Sequence, residues 1–264
     1  MPELTEYLEF ATELAREAGV IARRHFTADV AYEVKSDNSP VTIADTEINQ
    51  LIIDRCQQRY PEIGVLGEEL SSELKPGKLL WVCDPIDGTI PYTLGMPIST
   101  FCLALVDDGV PVVGVVYDFN NERLFCAVKG QDAWLNGKVL LPPQTEPMRL
   151  VSLEWWHSAK YDLSGAREDL SNQGYQVPNY ASGAFTSMMI GLGRISGIIY
   201  AGDKPWDGAA AKVIVEELGA TMTSLSGTDQ RYDKPIEGYI LAAPGAYTDL
   251  LSAVQPRLDS QKFT

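Results

Sequence analysis

The sequence predicts a layered α/β (α+β) sandwich with mixed, largely antiparallel sheets. Segments with the apolar spacing of helices alternate with short segments typical of strands, and such alternation builds layers of helices on sheets. Strands joined by tight turns dominate the middle of the chain, which favours mixed sheets over a doubly wound parallel sheet. The chain has 264 residues, of which 45% are hydrophobic, so it can bury a sizeable core.

The first half of the chain begins with helices and continues with strands. The predicted elements are helix 4–26, loop 36–40, helix 42–59, buried strands 63–66 and 79–83, and an antiparallel meander of strands 100–106, 112–117 and 123–128. Turns are indicated at 107–109 and at 136–137, where the sequence reads Asp-Asp-Gly and Asn-Gly.

A proline-rich connection at 141–147 separates the second half from the first. We therefore expect two subregions, 1–145 and 146–264, within one compact unit. The elements predicted for the second half are strand 148–153, helix 184–194, strand 198–201, helix 206–218, strands 221–225 and 239–242, and helix 247–254.

The charge balance excludes several classes of partner. A net charge of −15, from 36 acidic and 21 basic residues, would repel a nucleic-acid duplex. No stretch reaches the roughly 18 apolar residues that span a bilayer, so we expect no membrane segment. Residues 1–10 carry three Glu and no basic residue, unlike a secretory signal. The four cysteines lack CxxC spacing, which predicts buried reduced thiols in a cytoplasmic protein.

Three acidic clusters stand at the ends of predicted elements, where side chains are held rigidly beside a cleft. They are 67–69 (GEE), 84–89 (DPIDGT) and 206–208 (WDG). In the second cluster, Pro85 biases Asp84 toward an extended conformation and Gly88 permits a tight turn. Asp84 and Asp87 can then point to one spot, where two carboxylates need a shared proton or a cation such as Mg²⁺. A short helix after Gly88 would favour a phosphate at its N-terminus.

Purely structural interpretations of these residues stay open at this stage. Segment 84–89 could be a solvated turn, Asp207 a helix N-cap, and Glu68 part of a charged loop. A zinc site is not expected, because the only histidines are His25, predicted to be a plain helix residue, and His157, which could line a pocket. Neither a GxSxG motif nor a phosphate-binding P-loop motif occurs.

The clusters together resemble the inositol monophosphatase family, which is lithium-sensitive and metal-dependent. The matching segments are 35–45 (KSDNSPVTIAD), 67–69 (GEE), 81–89 (WVCDPIDGT), 133–137 (AWLNG), 206–210 (WDGAA) and 216–220 (EELGA). Their order and spacing match over most of the chain. The resemblance implies a five-layer αβαβα sandwich, a homodimer and hydrolysis of a small soluble phosphate monoester. It further implies that 1–145 binds metal and that 146–264 completes the site.

The resemblance also implies a metal site with two or three Mg²⁺ ions per subunit. The implied ligands are Glu68, Asp84, the Ile86 carbonyl, Asp87 and Asp207. Glu68, Asp84 and the Ile86 carbonyl would share one ion, and both Asp84 and Asp87 would join Asp207 around a second. Bound metal would also reverse the local charge, so that a chain of net charge −15 can attract a phosphate.

The remaining implied residues handle water, phosphate and substrate. Thr89, oriented by Asp45, would position and deprotonate the attacking water, with Glu68 as a further catalytic residue. Backbone groups of Gly88 and Thr89 would bind the phosphate. Asp87 and the residue at position 200, which is Tyr200 here, would contact the substrate.

Two departures from the family pattern bear on the substrate. Inositol-specific members carry a Glu seven residues before the last metal ligand, where this chain has Tyr200, and segment 90–97 (IPYTLGMP) replaces the usual Thr-Asn-Phe run. Histidinol phosphate, fructose bisphosphate and nucleotide 3′-phosphates are therefore alternatives to inositol phosphate. A regulatory dimer with a vestigial metal site is the non-enzymatic alternative, and the complete ligand set argues against it.

Overall fold

Helices form three separate layers of the molecule. The computed structural model describes residues 3–27, 29–36, 38–73, 75 and 77–258. In that part of the chain the helices are α1 (Leu4–His25), α2 (Ile43–Arg59), α3 (Thr89–Thr93), α4 (Ser164–Asn172), α5 (Gly183–Gly191), α6 (Ala209–Glu217) and α7 (Tyr247–Leu258). A short 3-10 helix, Pro205–Asp207, precedes α6. None of the helices described is long and apolar enough to cross a membrane.

The strands form one hairpin and two sheets. The hairpin pairs β1 (Tyr32–Val34) with β2 (Pro40–Thr42). The larger sheet has seven strands in chain order: β3 (Gly64–Gly67), β4 (Leu79–Asp87), β5 (Thr100–Asp107), β6 (Val110–Asp118), β7 (Arg123–Val128), β8 (Ala133–Leu135) and β9 (Lys138–Leu140). The smaller sheet has four, in the order β10 (Met148–Glu154), β11 (Ile195–Tyr200), β13 (Tyr239–Ala242) and β12 (Thr221–Thr223). Only the β3–β4 and β10–β11 pairs are parallel among these strands, so the sheets are mixed and largely antiparallel, as predicted.

Three apolar cores separate the layers. The first lies between the seven-stranded sheet and the helices α1 and α2. The second joins the other face of that sheet to α5, α6 and the four-stranded sheet, and the third joins the far face of the smaller sheet to α4 and α7. The order is therefore helices, sheet, helices, sheet, helices, which confirms the predicted αβαβα sandwich.

Strand β5 shows how the sequence builds two cores at once. Its side chains alternate between the faces of the sheet, so Phe101, Leu103 and Leu105 enter the first core. Cys102, Ala104 and Val106 enter the second. Because helices cover both faces, the strand is a continuous apolar run rather than an alternating one.

Some predictions of local structure were wrong or incomplete. Segment 206–218 is not one helix, because the 3-10 turn ends at Asp207 and α6 begins only at Ala209. Strand β4 runs four residues further than predicted, through Asp87. The sequence analysis missed α4. It also missed the four short strands β1, β2, β8 and β9, because three residues are too few to show a period.

Candidate active site

A cavity of about 780 Å³ opens beside the carboxyl end of β4, the amino end of α5 and the segment after β11. The predicted site residues in its wall are Glu68, Asp84, Ile86, Asp87, Gly88, Thr89, Tyr200 and Asp207. Asp45 is fully buried and reaches the site through Thr89. The fold therefore brings all three acidic clusters to one cavity.

A bulge in β4 turns Asp84 and Asp87 toward the same cavity. Along a regular strand, residues three positions apart point to opposite faces. Here the pairing shifts between Asp84, opposite Cys102, and Asp87, opposite Thr100, so β4 has one residue more than β5. Such a bulge re-aims side chains, and Pro85 fits within it because a bulge residue need not donate a ladder hydrogen bond.

The Asp87 carboxylate is bound at the N-terminus of α5. Its Oδ1 accepts a hydrogen bond from the Gly183 N–H at 3.0 Å. Its Oδ2 accepts bonds from the Ala184 N–H at 3.1 Å, the Ser182 hydroxyl at 2.5 Å and the Thr100 hydroxyl at 3.2 Å. Burial raises the pKa of Asp87, and these hydrogen bonds oppose the rise. Asp87 therefore links β4 to the second half of the chain.

Asp84 differs from Asp87 in its hydrogen bonding. The side chain is 3% exposed, and its Oδ1 has no hydrogen-bond partner among the residues that the structure describes. Burial raises the pKa of Asp84 well above its usual range, and the charges of Glu68, Asp87 and Asp207 raise it further. A buried carboxylate in this situation is costly unless a proton or a cation joins it.

Glu68 follows β3, the parallel neighbour of β4, so it lies at the same edge of the sheet as Asp84. The buried Asn49 of α2 fixes the loop, because its side-chain oxygen accepts bonds from the N–H groups of Glu69 and Leu70 at 3.2 Å each. Lys35 donates to Glu68 at 2.7 Å and to Glu69 at 2.5 Å. Burial alone would lower the pKa of Lys35, but the two glutamates outweigh it and raise that pKa, so Lys35 stays charged.

Asp207 completes the acidic set from the second half of the chain. The Tyr200 hydroxyl donates to Asp207 Oδ2 at 2.7 Å, and the Tyr200 ring stacks on Tyr239 with centroids 4.9 Å apart. Burial raises the pKa of Asp207 well above its usual range, with a further rise from the Glu68 charge. The cap of α6 is Gly208, so the interpretation of Asp207 as the N-cap is wrong.

Thr89 and Asp45 form a pair at the edge of the cavity. The Thr89 hydroxyl lies 3.5 Å from Asp45 Oδ1 and 3.1 Å from the Ile86 carbonyl oxygen. Asp45 Oδ2 accepts bonds from the Thr42 N–H at 2.8 Å and the Thr42 hydroxyl at 2.5 Å, in the capping box of α2. Burial raises the pKa of Asp45 to about 7, against the effect of the Thr42 bonds.

Comparison with known proteins identifies the family. The model of the inositol monophosphatase family matches residues 3–259. The chain belongs to the inositol monophosphatase family. It is 31% identical to the Nus factor SuhB of Escherichia coli strain K12, over 83% of this chain and 85% of that protein. It is 29% identical to a fructose-1,6-bisphosphatase/inositol-1-monophosphatase of Thermotoga maritima, over 84% and 86%. The solved structure of a Thermotoga maritima IMPase superposes with a TM-score of 0.83 at 25% identity, covering 95% of this chain and 97% of that one.

Inositol monophosphatase family members use metal ions, and the donor set here suits a hard cation. No three acidic, histidine or cysteine side chains in the described part of the chain are already gathered into a complete ligand set. The buried acids nevertheless line the same cavity as an Asp84 oxygen that has no partner among the described residues, and each of Asp84, Asp87 and Asp207 has a raised pKa. Carboxylate and carbonyl oxygens are the ligands that Mg²⁺ and Ca²⁺ take, so the residues fit such an ion.

Several residues of the site were missed by the sequence analysis. Lys35 was noted only as part of a motif, and Glu154, which lines the cavity, was not noted at all. Ser182, which donates to Asp87, was not noted either. The long separation of Ser182 from Asp87 in the chain hides their contact, and Glu154 looks like an ordinary end of a strand. The indole rings of Trp155 and Trp156 also border the cavity, and their adjacency was a usable signal.

The remaining predictions concern histidines and cysteines. His25 is the last residue of α1 and lies 2.9 Å from Glu47, which fits the prediction of a plain helix residue. His157 is not among the cavity-lining residues. All four cysteines are free and buried, as predicted, and burial raises the pKa of each.

Proposed function

We propose that this protein is a Mg²⁺-dependent phosphomonoesterase that acts on a small soluble phosphate ester. The observation that carries the proposal is a buried oxygen of Asp84 that no described residue binds, in one cavity with three other carboxylates. Membership of a phosphatase family supports the same reaction class. A purely structural role would not need buried acids that repel one another.

Mg²⁺ would be held by the acids that the family pattern names. We assign Glu68, Asp84 and the Ile86 carbonyl to one ion and propose that both Asp84 and Asp87 join Asp207 around a second, with a third ion admissible. Bound ions would neutralise the phosphate, lower the pKa of the attacking water and stabilise the leaving oxygen. Because phosphoryl transfer needs mainly positioning and charge neutralisation, no covalent nucleophile is required.

The chain itself would handle the proton of the water. In this proposal the Thr89 hydroxyl orients the water and passes its proton toward Asp45 Oδ1, which lies 3.5 Å from the Thr89 oxygen. A pKa of about 7 for Asp45 suits a group that accepts a proton near neutral pH. Glu68 would assist as a further catalytic residue. The backbone of Gly88 and Thr89, at the start of α3, would contact the phosphate oxygens.

The substrate is the open part of the proposal. A Thermotoga maritima relative is named for both fructose 1,6-bisphosphate and inositol 1-phosphate, so both esters are candidates here. The Tyr200 hydroxyl donates a hydrogen bond to Asp207. Tyr200 is therefore a poor substitute for a carboxylate that accepts hydrogen bonds from substrate hydroxyls. Inositol phosphate and histidinol phosphate are the first substrates to test, followed by fructose bisphosphate and a nucleoside 3′-phosphate.

A regulatory role is the second candidate, since a relative 31% identical is named a Nus factor. A regulatory dimer with a vestigial site would not need the complete acidic set, and this chain has every member of it.

We also propose the homodimer and the cytoplasmic location expected from the sequence. Light scattering of the purified protein would test the dimer, and fractionation of cells would test the location.

The decisive experiment measures phosphate release from that panel of esters, with Mg²⁺ and with excess EDTA. We expect turnover that EDTA abolishes and Mg²⁺ restores, with inhibition by Li⁺ as the family resemblance implies. Asp84→Asn protein, prepared in parallel, is the control for contaminating phosphatases. Full turnover in EDTA would overturn metal dependence, and no release from any ester would favour the regulatory candidate.

A further inference from the structure

The cavity also has an aromatic wall, most of which has no task in the proposed phosphate chemistry. Beside the acidic residues, the cavity is lined by Trp155, Trp156, Tyr200 and Trp206, and these four residues are called the aromatic wall below. Indole and phenol rings offer flat apolar surfaces, which suit a flat ring of a ligand better than a polyol. The wall therefore points to the alcohol part of the ester, the part that leaves when phosphate is transferred.

Trp156 is the most accessible of the rings. Its side chain is 43% exposed, although it borders a cavity and carries a large apolar surface. Its ring meets Tyr200 edge-on, with centroids 5.9 Å apart and planes at 68°. Tyr200 is in turn fixed by stacking on Tyr239 and by its bond to Asp207. Trp156 is thus held by its edge contact, and a bound ring could cover its exposed surface.

Glu154 adds a buried carboxylate to the cavity that Trp156 borders. It is the last residue of β10, lies opposite Tyr200 in the register of the sheet and is 3% exposed. Oε1 accepts bonds from the Ser152 hydroxyl at 2.6 Å and the Tyr180 N–H at 2.9 Å, and Oε2 accepts one from the Ala181 N–H at 3.0 Å. Among the described residues these contacts use three of the roughly four acceptor positions of a carboxylate, which leaves Oε2 with one.

One short segment ties Glu154 to the reaction centre. The N–H groups of Tyr180 and Ala181 bind Glu154, and the next residues, from Ser182 onward, bind Asp87. Ala181 adopts a φ of 55°, a left-handed conformation that costs a residue with a Cβ some strain. Two consecutive N–H groups reach one carboxylate there, so the strained turn connects Glu154 to the segment that binds Asp87.

We propose that Glu154 and Trp156 form the subsite for the alcohol part of the substrate, and that this alcohol carries a flat heteroaromatic ring with an N–H donor. The ring stacks on Trp156 and its N–H donates to Glu154 Oε2. The carboxylate that inositol-specific relatives carry at position 200 is thereby replaced by one on the neighbouring strand, with a different task. This inference rests on the proposed phosphomonoesterase function and specifies its substrate class.

The test uses three phosphonates, which cannot be hydrolysed and differ only in their ring: imidazolylethyl, phenylethyl and cyclohexylethyl phosphonate. Dissociation constants are measured by calorimetry with Mg²⁺ present. We expect binding to tighten from cyclohexyl to phenyl through stacking, by a few-fold to about tenfold. From phenyl to imidazolyl we expect a further tightening of about tenfold or more, through the charged hydrogen bond.

Two variants separate the two contacts. Trp156→Ala should erase the preference for phenyl over cyclohexyl, and Trp156→Phe should restore most of it. Glu154→Gln should erase the preference for imidazolyl over phenyl. Val139→Ala, at an exposed position of β9, and Glu62→Gln, at another exposed position, are the controls and should change neither ratio.

The outcomes distinguish this inference from the proposed function. Hydrolysis of glycerol phosphate by the same preparation tests the phosphatase itself, independently of the ring. If glycerol phosphate is hydrolysed but all three phosphonates bind equally, the subsite is wrong. An unchanged phenyl preference in Trp156→Ala would also overturn it, even if Glu154→Gln failed to fold. If the ranking and its loss in the variants hold, the subsite is supported whether or not the protein turns over glycerol phosphate.

Discussion

Asp84 combines deep burial with a carboxylate oxygen that no described group binds. We predict that Asp84→Asn has opposite effects on stability and on activity. In metal-free protein the amide removes a charge that Glu68 and Asp87 repel, so the variant should be more stable than the wild type, by about 1–3 kcal/mol. The same change should lower kcat at least about a hundredfold, since a metal ligand is lost.

Urea unfolding in EDTA and phosphate release with Mg²⁺ measure the two effects on one preparation. Glu62→Gln, at an exposed position outside the acidic set, serves as the matched control and should keep the activity. A variant that is less stable than the wild type in EDTA would show that Asp84 has partners of its own. Near-normal kcat would remove it from the metal site.

Single residues also show where sequence reasoning stops. Asp84, Asp87 and Asp207 could be found because acids at the ends of apolar strands have few structural uses. Glu154 could not, because its position beside Asp87 depends on the left-handed turn at Ala181 and on the packing of one sheet against α5. Contacts between residues distant in the chain leave no local pattern.

At the scale of elements, the site depends on the turn that joins β4 to α3. Gly88 has a φ of 81°, and a Cβ there would lie 2.8 Å from Ser182 Cβ at the start of α5. Gly137, in the β8–β9 turn, has a φ of 76° and open space around it. We predict that Gly88→Ala is more destabilising than Gly137→Ala, because only Gly88 adds a steric clash to backbone strain of about 1–3 kcal/mol.

Thermal unfolding of the two variants measures that difference directly. Gly88→Ala should also lose phosphate-release activity, because pushing Ser182 away disturbs a hydrogen bond to Asp87. Gly137→Ala should keep its activity. Equal destabilisation of the two variants would mean that Ser182 and the start of α5 shift to relieve the clash at no cost in free energy. The prediction that the clash at Gly88 adds to the destabilisation would then be wrong.

The elements themselves were mostly predictable, and the reason is physical. Long periodic segments such as α1 and the β5–β7 meander have enough residues for their apolar spacing to stand out. The bulge in β4 was not predicted, although Pro85 suggested a special backbone. A bulge is defined by the register against the partner strand, and a single strand's sequence does not contain that register.

At the scale of the whole molecule, the two halves share the second apolar core. Strands of the seven-stranded sheet pack there against α5, α6 and the smaller sheet. We propose that 1–145 and 146–264 are one folding and catalytic unit joined by an exposed connection. A protease site inserted at 141–147, where Leu141 is 73% exposed, should allow cleavage without loss of activity.

The nicked protein should elute as one species and unfold in a single transition. Uncut protein carrying the same insertion is the control. Dissociation of the halves in native buffer, or two separate transitions, would show that they are independent domains.

The layered architecture could be predicted because apolar strands need cover on both faces. The location of the cavity followed only from the way in which the two sheets sandwich α5 and α6.

The acidic cavity should also govern how stability depends on pH. Burial raises the pKa of Asp45 from an ordinary value of 3.8 to about 7, and it raises those of Asp84, Asp87 and Asp207 as well. At a pH between the ordinary and the raised pKa values, the folded protein binds more protons than the unfolded chain. The free energy of unfolding of the metal-free protein should therefore fall as the pH rises from about 4 to about 7 and beyond.

Magnesium should reverse this trend. The ion binds ionised carboxylates and competes with their protons, so its stabilising effect grows as the pH rises. Urea unfolding near pH 5 and near pH 8 should show the metal-free protein more stable at the lower pH and the Mg²⁺-saturated protein gaining most at the higher one. Asp45→Asn removes one of the carboxyl groups with a raised pKa. In EDTA its free energy of unfolding should therefore fall less steeply with rising pH than that of the wild type. If stability in EDTA rose with pH, or if Mg²⁺ added the same stability at both values, the buried acids would not be the metal site, because a site built from protonated carboxylates must exchange protons for metal.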